Sequence, residues 1–180
     1  MEHLYKACEQ NNEETARIIL SYSTIPKRSG ELSLNNACWE GNVGLLRALR
    51  DSIEVDTADS THYLRGAICS RRLEAVRVLL SYTQINPGHE GSAALRIAVR
   101  EDCLDIVQLL LEDGRSDIYA SGALDEAWSR SNRAALQLLL SHSSVREETR
   151  REYDPDRLYR GWTIAACVGI GALVAYKLTR

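Results

Sequence analysis

Apolar residues recur along this chain at two periods at once. The phrase Leu-x-x-Ala begins at Leu4, Leu34, Leu64, Leu95 and Leu124, at steps of 30, 30, 31 and 29 residues. Nine residues beyond each alanine stands Ala16, Leu46, Val76, Val107 or Leu136, and twelve beyond it Ile19, Leu49, Leu79, Leu110 or Leu139. Leu and Ala three residues apart share one helix face, and the small alanine lets a neighbouring helix come close. A polar pair follows each time: Asn11-Asn12, Gly41-Asn42, Arg71-Arg72, Asp102-Cys103 and Ser131-Asn132. Gly and Asn tolerate the left-handed turn that ends a helix. The second helix of each copy then carries a wide apolar stripe, as in Val76, Val78, Leu79 and Leu80. One copy cannot bury that much apolar surface by itself, whereas copies stacked side by side can. The pattern therefore predicts an all-α solenoid of five helix pairs over residues 1–144, with a C-terminal apolar helix after it.

Several of these features together resemble the ankyrin repeat: Leu-x-x-Ala, the Gly41-Asn42 break, the Val-x-x-Leu-Leu ending of the second helix, and connectors such as Ile85-Asn86-Pro87. The resemblance covers roughly residues 1–144 and is strongest in the third and fourth copies. The chain departs from the family in three ways. No copy opens with Thr-Pro-Leu-His, the turn glycine stands only in the second copy, and the copies run 29–31 residues where about 33 is usual. The resemblance implies ankyrin-like helix pairs and a protein-binding role. A row of first helices and loop tips offers a concave surface whose side chains vary freely, because the core lies elsewhere. Candidates are first-helix residues off the Leu/Ala face: Trp39, Glu40, Tyr63, Arg65, Arg96, Arg100, Glu101, Trp128 and Arg130. Exposed Trp, Tyr and Arg are common interface anchors. Packing between copies is the competing role for Trp39 and Trp128.

The segments between and after the copies carry their own signals. Glu9, Gln10, Asn11 and Asn12 make the first copy polar, as a terminal repeat with a wetted outer face requires. Residues 21–30 read as a connector in which Pro26 and Gly30 break any helix. Asn86-Pro87-Gly88 is a turn signal. Residues 145–160 read as a charged linker or a last capping helix. Ser144 and Glu147 have capping-box spacing, and Pro155 would stop a helix begun there. Five basic and five acidic residues fall between Arg146 and Arg160.

The stretch 161–176 contains sixteen residues and no charge. As a helix it would be about 24 Å long, against a hydrocarbon core of about 30 Å. Arg160 and Lys177 can snorkel to make up the difference. Trp162 and Tyr176 stand at the two ends, where interfacial aromatics belong, around an apolar body of Ile164, Val168, Ile170, Leu173 and Val174. Residues 161–178 are therefore expected to form a transmembrane helix; a buried helix that closes the stack is the alternative. The N-terminus has no secretory signal pattern, so insertion would follow synthesis, with the repeats left in the cytosol. The arrangement resembles tail-anchored proteins, and short, moderately apolar spans with basic flanks favour the mitochondrial outer membrane over the endoplasmic reticulum. Gly161, Ala165 and Gly169, spaced by four, offer a face on which two spans pair into a homodimer, although small residues are common in membrane helices.

Composition narrows the functional classes. At 180 residues the chain has room for one domain and an appendage. A net charge of −3 argues against nucleic-acid binding across the body. Cys8, Cys38, Cys69, Cys103 and Cys167 recur at roughly one copy apart with no C-x-x-C, which suits small core residues rather than metal ligands or disulfides. No phosphate loop, nucleophile elbow or zinc-protease motif is present, and His3, His62, His89 and His142 are scattered. The expectation is a non-enzymatic protein without cofactor or metal: a membrane-anchored interaction module with an unidentified protein partner. The alternatives are a soluble adaptor whose last helix caps the stack, and a membrane-active oligomer with regulatory repeats.

Overall fold

In a computed structural model, residues 2–10, 12–22, 26–50, 52 and 60–154 are described. The helices are α1 (Glu2–Glu9), α2 (Glu13–Tyr22), α3 (Lys27–Glu40), α4 (Val43–Arg50), α5 (Ser60–Cys69) and α6 (Leu73–Leu80). They continue with α7 (His89–Arg100), α8 (Leu104–Asp113), α9 (Ile118–Ser121), α10 (Ala123–Ser129), α11 (Arg133–Ser141) and α12 (Glu147–Glu152). There is no strand among the described residues. The first helices pack in one row, α1 on α3, α3 on α5, α5 on α7 and α7 on α10. The second helices pack in another, α2 on α4, α4 on α6, α6 on α8 and α8 on α11. Each pair also closes on itself, so the architecture is two layers of helices advancing pair by pair.

The periodic positions fill the space between the layers. Leu4, Leu34, Leu64, Leu95 and Leu124 are at most 4% exposed, and so are Ala7, Ala37, Ala67, Ala98 and Ala127. Ala16, Leu46, Val76, Val107 and Leu136 are fully buried. Each buried leucine contributes about 1.5–3 kcal/mol relative to an exposed one. The alanines matter by being small, since they set how close the two helices of a pair and their neighbours can lie.

The five turns share one hydrogen-bond pattern. The N–H groups of Asn12, Asn42, Arg72, Cys103 and Asn132 donate to the carbonyls of Ala7, Ala37, Ala67, Ala98 and Ala127 at 2.8–3.1 Å. This is the bond by which a left-handed residue stops a helix and satisfies its last carbonyls. In four of these turns the left-handed residue is Gly41 (φ 73°), Arg71 (φ 56°), Asp102 (φ 55°) or Ser131 (φ 54°); Glu90, Gly91 and Ser92 at the start of α7 are left-handed as well. Of the four turn residues only Gly41 is glycine, so the other three carry a Cβ where it is disfavoured. The second helix starts at once. Asn12, Asn42 and Asn132 cap it through Oδ1, which accepts from Thr15, Leu45 and Ala135 N–H at 2.9–3.0 Å.

Neighbouring pairs are tied across one repeat length. Arg71 Nη2 donates to the Glu101 carbonyl at 2.7 Å, and Asn132 Nδ2 donates to Asp102 Oδ1 at 2.7 Å. Arg115 donates to the Ile85 and Leu80 carbonyls, both at 2.8 Å, while the Asp113 carboxylate holds its guanidinium. The Tyr82 hydroxyl donates to the Leu46 carbonyl. At the leading end, positions that are buried in later pairs are polar and exposed. Thr15 is exposed where Leu45, Ala75, Ile106 and Ala135 are at most 1% exposed, and His3 is exposed where Ser33, Tyr63, Ala94 and Ala123 are buried.

Two local expectations need correction. Residues 21–30 are not all connector, because α3 starts at Lys27 and buries Gly30 within it. Pro26 immediately precedes the helix with φ −59°, so it initiates α3 rather than breaking it. The capping box at Ser144 does not form: α12 is preceded by Arg146 with no side-chain cap, and Ser144 Oγ instead pairs with His142 Nδ1 at 2.8 Å. The asparagine of Asn86-Pro87-Gly88 does close a turn, with its Oδ1 accepting from Gly88 N–H at 2.9 Å.

Among the described residues no helix is long and apolar enough to cross a membrane. The expected span lies outside them, and with it Gly161, Trp162, Ile164, Ala165, Val168, Gly169, Ile170, Leu173, Val174, Tyr176 and Cys167. Relief of the disfavoured turn geometry is measurable. Ser131 is exposed and its side chain makes no hydrogen bond, so Ser131→Gly should stabilise the fold by about 1 kcal/mol and raise Tm by roughly 2–4 °C in a thermal melt. A lowered Tm would contradict the left-handed turn.

Candidate functional site

The outward side of the first-helix row follows from the same phase that buries the inward side. Relative to the Leu-x-x-Ala alanine, residues five and two before it and two after it point away from the second helices. In α1 and α3 these positions hold Tyr5, Leu32 and Trp39, which are 37%, 49% and 43% exposed, together with Glu9, hydrogen-bonded to Tyr5, and the half-buried Asn35. In α5 and α7 they include Arg65, Arg96 and Arg100, all exposed. The row is therefore mostly aromatic and aliphatic at its leading end, beside Glu9, and basic at its middle, with Asp125 at the same phase on α10.

Trp39 joins the two parts. It lies against α5 at Gly66, where an added Cβ would meet the indole Nε1 at 3.0 Å and Cδ1 at 3.2 Å. The missing side chain gives the ring its seat, and the ring keeps an exposed face. Arg65 is the residue next to that seat. Arg65 and Arg96 form no ion pair among the described residues, whereas Arg100 Nε contacts Glu101 Oε1 at 3.3 Å. Cys69 lies half-buried on the same row. Burial raises its thiol pKa, Glu101 raises it further, and Arg100 and Arg65 oppose the shift. Cys8, Cys38 and Cys103 are buried, with burial raising each thiol.

The sequence-based candidates separate into groups. Trp39, Arg65, Arg96 and Arg100 share the outward stripe. Glu40 and Arg130 are exposed at the edge toward the turns, where Arg130 Nε pairs with Glu126 Oε1 at 2.6 Å, and Glu101 sits half-buried at the equivalent place. Tyr63 does not belong to the surface, being 2% exposed. It stands four residues before its alanine, on the side that meets the preceding pair, where Ser33, Ala94 and Ala123 are also buried. Trp128 is half-buried. Its position follows the alanine directly, and Cys8, Cys38, Ile68 and Val99 there are covered by the next pair. In the last pair Tyr153 takes that role, with its ring edge-on to Trp128 at 5.8 Å.

Residues 145–154 close the trailing end around that contact. Arg150 donates to the Leu140 carbonyl at 2.9 Å and the His142 carbonyl at 3.3 Å, satisfying the end of α11. The Tyr119 hydroxyl accepts from Arg146 N–H at 2.8 Å, and the Arg146 guanidinium lies 5.2 Å from the Tyr119 ring centre. The Tyr153 hydroxyl donates to Asp125, whose carboxylate holds it protonated, with its pKa pushed up to about 12. Tyr5 and Leu32 were not among the candidates, although they share the outward phase with Arg65 and Trp39. Being apolar, they read as core until the side facing the second helices is known.

Stacked helix pairs with a conserved turn and an outward row define a helical-repeat interaction fold. Residues 90–123 match the ankyrin repeat, which corresponds to α7, α8 and α9. No curated protein matches the chain. The ankyrin repeat is a non-enzymatic fold that mediates binding between proteins.

Proposed function

We propose that this protein is an interaction module that grips a protein partner along its first-helix row, and that the stretch 161–178 holds it to a membrane. The observation that carries the binding reading is the shared phase of Tyr5, Leu32, Trp39, Arg65, Arg96 and Arg100. These are large or charged side chains, on adjacent helices, at positions the core does not use. Trp and Arg in such clusters dominate binding energy. The ankyrin match supports the same reading.

The membrane reading draws on the uncharged run and its flanks. It gains support from the trailing end, where Tyr153 and Arg150 already cover the last pair. Part of the last pair is thus covered without the apolar run. Five basic residues from Arg146 to Arg160 against two beyond the run agree with a cytosolic side for the repeats. The short run favours the mitochondrial outer membrane, and Gly161, Ala165 and Gly169 would let two spans pair.

Cross-linking to partners in cells tests the binding surface. Trp39→Ala with Arg96→Ala should lower partner capture about tenfold or more. Arg47→Ala with Arg77→Ala, exposed on the second helices, should leave it unchanged. The reverse result would move the surface to the other layer. Alkaline carbonate extraction of N-terminally tagged protein tests the anchor. The full chain should stay with the membrane pellet and a chain lacking residues 161–180 should be released; release of both would eliminate the anchor.

A further inference from the structure

The chemistry of the outward row is specific enough to name the kind of partner it fits. The chain as a whole is acidic, at −3. Even so, the charged residues at the outward positions of α5 and α7 are Arg65, Arg96 and Arg100. The outward positions also carry carboxylates at the two ends of the row, Glu9 beside Tyr5 on α1 and Asp125 on α10. Glu101 faces Arg100 at 3.3 Å, and Arg65 and Arg96 have no carboxylate partner among the described residues. Arg65 precedes Cys69 by one helical turn on α5, and Arg100 takes on α7 the place that Cys69 takes on α5. An exposed group of arginines with two members lacking a carboxylate partner gives this part of the row a positive field that attracts an acidic ligand. Beside them lies the apolar end, where Tyr5, Leu32 and Trp39 account for half of the six large apolar side chains exposed among the described residues.

We infer that the partner presents an extended acidic segment with an aromatic or aliphatic side chain at one end. The apolar anchor packs against Tyr5, Leu32 and the free face of Trp39. The carboxylates that follow reach Arg65, Arg96 and Arg100. Trp39 on Gly66 sets the junction, because it places the ring beside Arg65. Dimensions agree with an extended ligand. Helices in contact lie about 8–10 Å apart, so α1 to α7 spans roughly 24–30 Å, which about eight or nine extended residues cover. Arginine suits this role because its planar fork takes a carboxylate with two parallel hydrogen bonds. This inference rests on the first-helix row being the binding surface.

Selection from a random dodecapeptide phage library on the intact protein tests it. Recovered peptides should be enriched in Asp and Glu and carry at least one Trp, Phe, Tyr or Leu. A synthetic copy of the dominant peptide should bind at least about tenfold more weakly to Arg65→Glu/Arg96→Glu, and likewise to Trp39→Ala. Arg65→Glu/Arg96→Glu should keep the wild-type Tm, since those side chains are exposed, whereas Trp39→Ala, which empties the seat on Gly66, should lower Tm but keep a cooperative melt and the helical circular dichroism spectrum. Affinity should also fall severalfold as salt rises from about 50 to about 300 mM. No enrichment, enrichment without acidic excess, or binding indifferent to the Arg changes would overturn the inference. Non-acidic peptides that are lost on Trp39→Ala would remove the acidic partner and leave the row as the binding surface. Peptides that bind all row variants equally would remove both.

Discussion

The rest of the structure depends on one repeated bond, from a backbone N–H just past the turn to the carbonyl of the Leu-x-x-Ala alanine. It is made five times, from Asn12, Asn42, Arg72, Cys103 and Asn132. It ends each first helix and aims each second helix back along it. The alanine that accepts the bond is also the small residue that lets helices approach. Turn geometry and interlayer spacing are thus set at the same position, and any copy that keeps both stacks on its neighbours in the same way. The side-chain ties at Arg71, Asn132 and Arg115 then span one repeat each and fix the step between pairs.

Much of this was legible in the sequence because a solenoid uses the same position for the same task in every copy. Five weak signals in phase make a strong one, and four of the predicted turn pairs hold a left-handed residue, whereas those at Glu90, Gly91, Ser92, Gly114 and Gly122 lie outside any predicted pair. What was illegible depends on single contacts or on direction. Pro26 was ambiguous because proline both stops helices and starts them. Ser144 had the spacing of a cap, but His142 holds its hydroxyl. The α9 helix is four residues long, too short for a periodic signal, and only Asp117 ahead of it, whose Oδ1 accepts from Tyr119 and Ala120 N–H, marks its start.

The candidate site was legible to a lesser degree for a related reason. Knowing the Leu/Ala face identifies the residues off it, but not which side meets the preceding pair. Tyr63 and Arg65 are two positions apart, yet one is buried between pairs and the other is free. Tyr5 and Leu32 were passed over because apolar character on a first helix suggests core. Once the layers are in place, core and surface separate cleanly. The residues that hold the pairs together point inward, so the outward row can change its chemistry without disturbing the stack. In this chain that row combines aromatic and aliphatic side chains with three arginines, of which Arg100 meets Glu101, on a body whose net charge is acidic.

The most direct measurement is the stability of a chain shortened by one repeat. Removing residues 68–98 joins Ala67 to Val99, which occupies the same place in its copy as Ile68. The account predicts a helical protein that still unfolds cooperatively in denaturant, with a smaller m-value in proportion to the lost surface. A deletion about a quarter shorter, which breaks the step, should leave a chain without a cooperative transition. If both shortened chains were equally unfolded, the pairs would be parts of one indivisible core, and the stacked-pair account would be wrong.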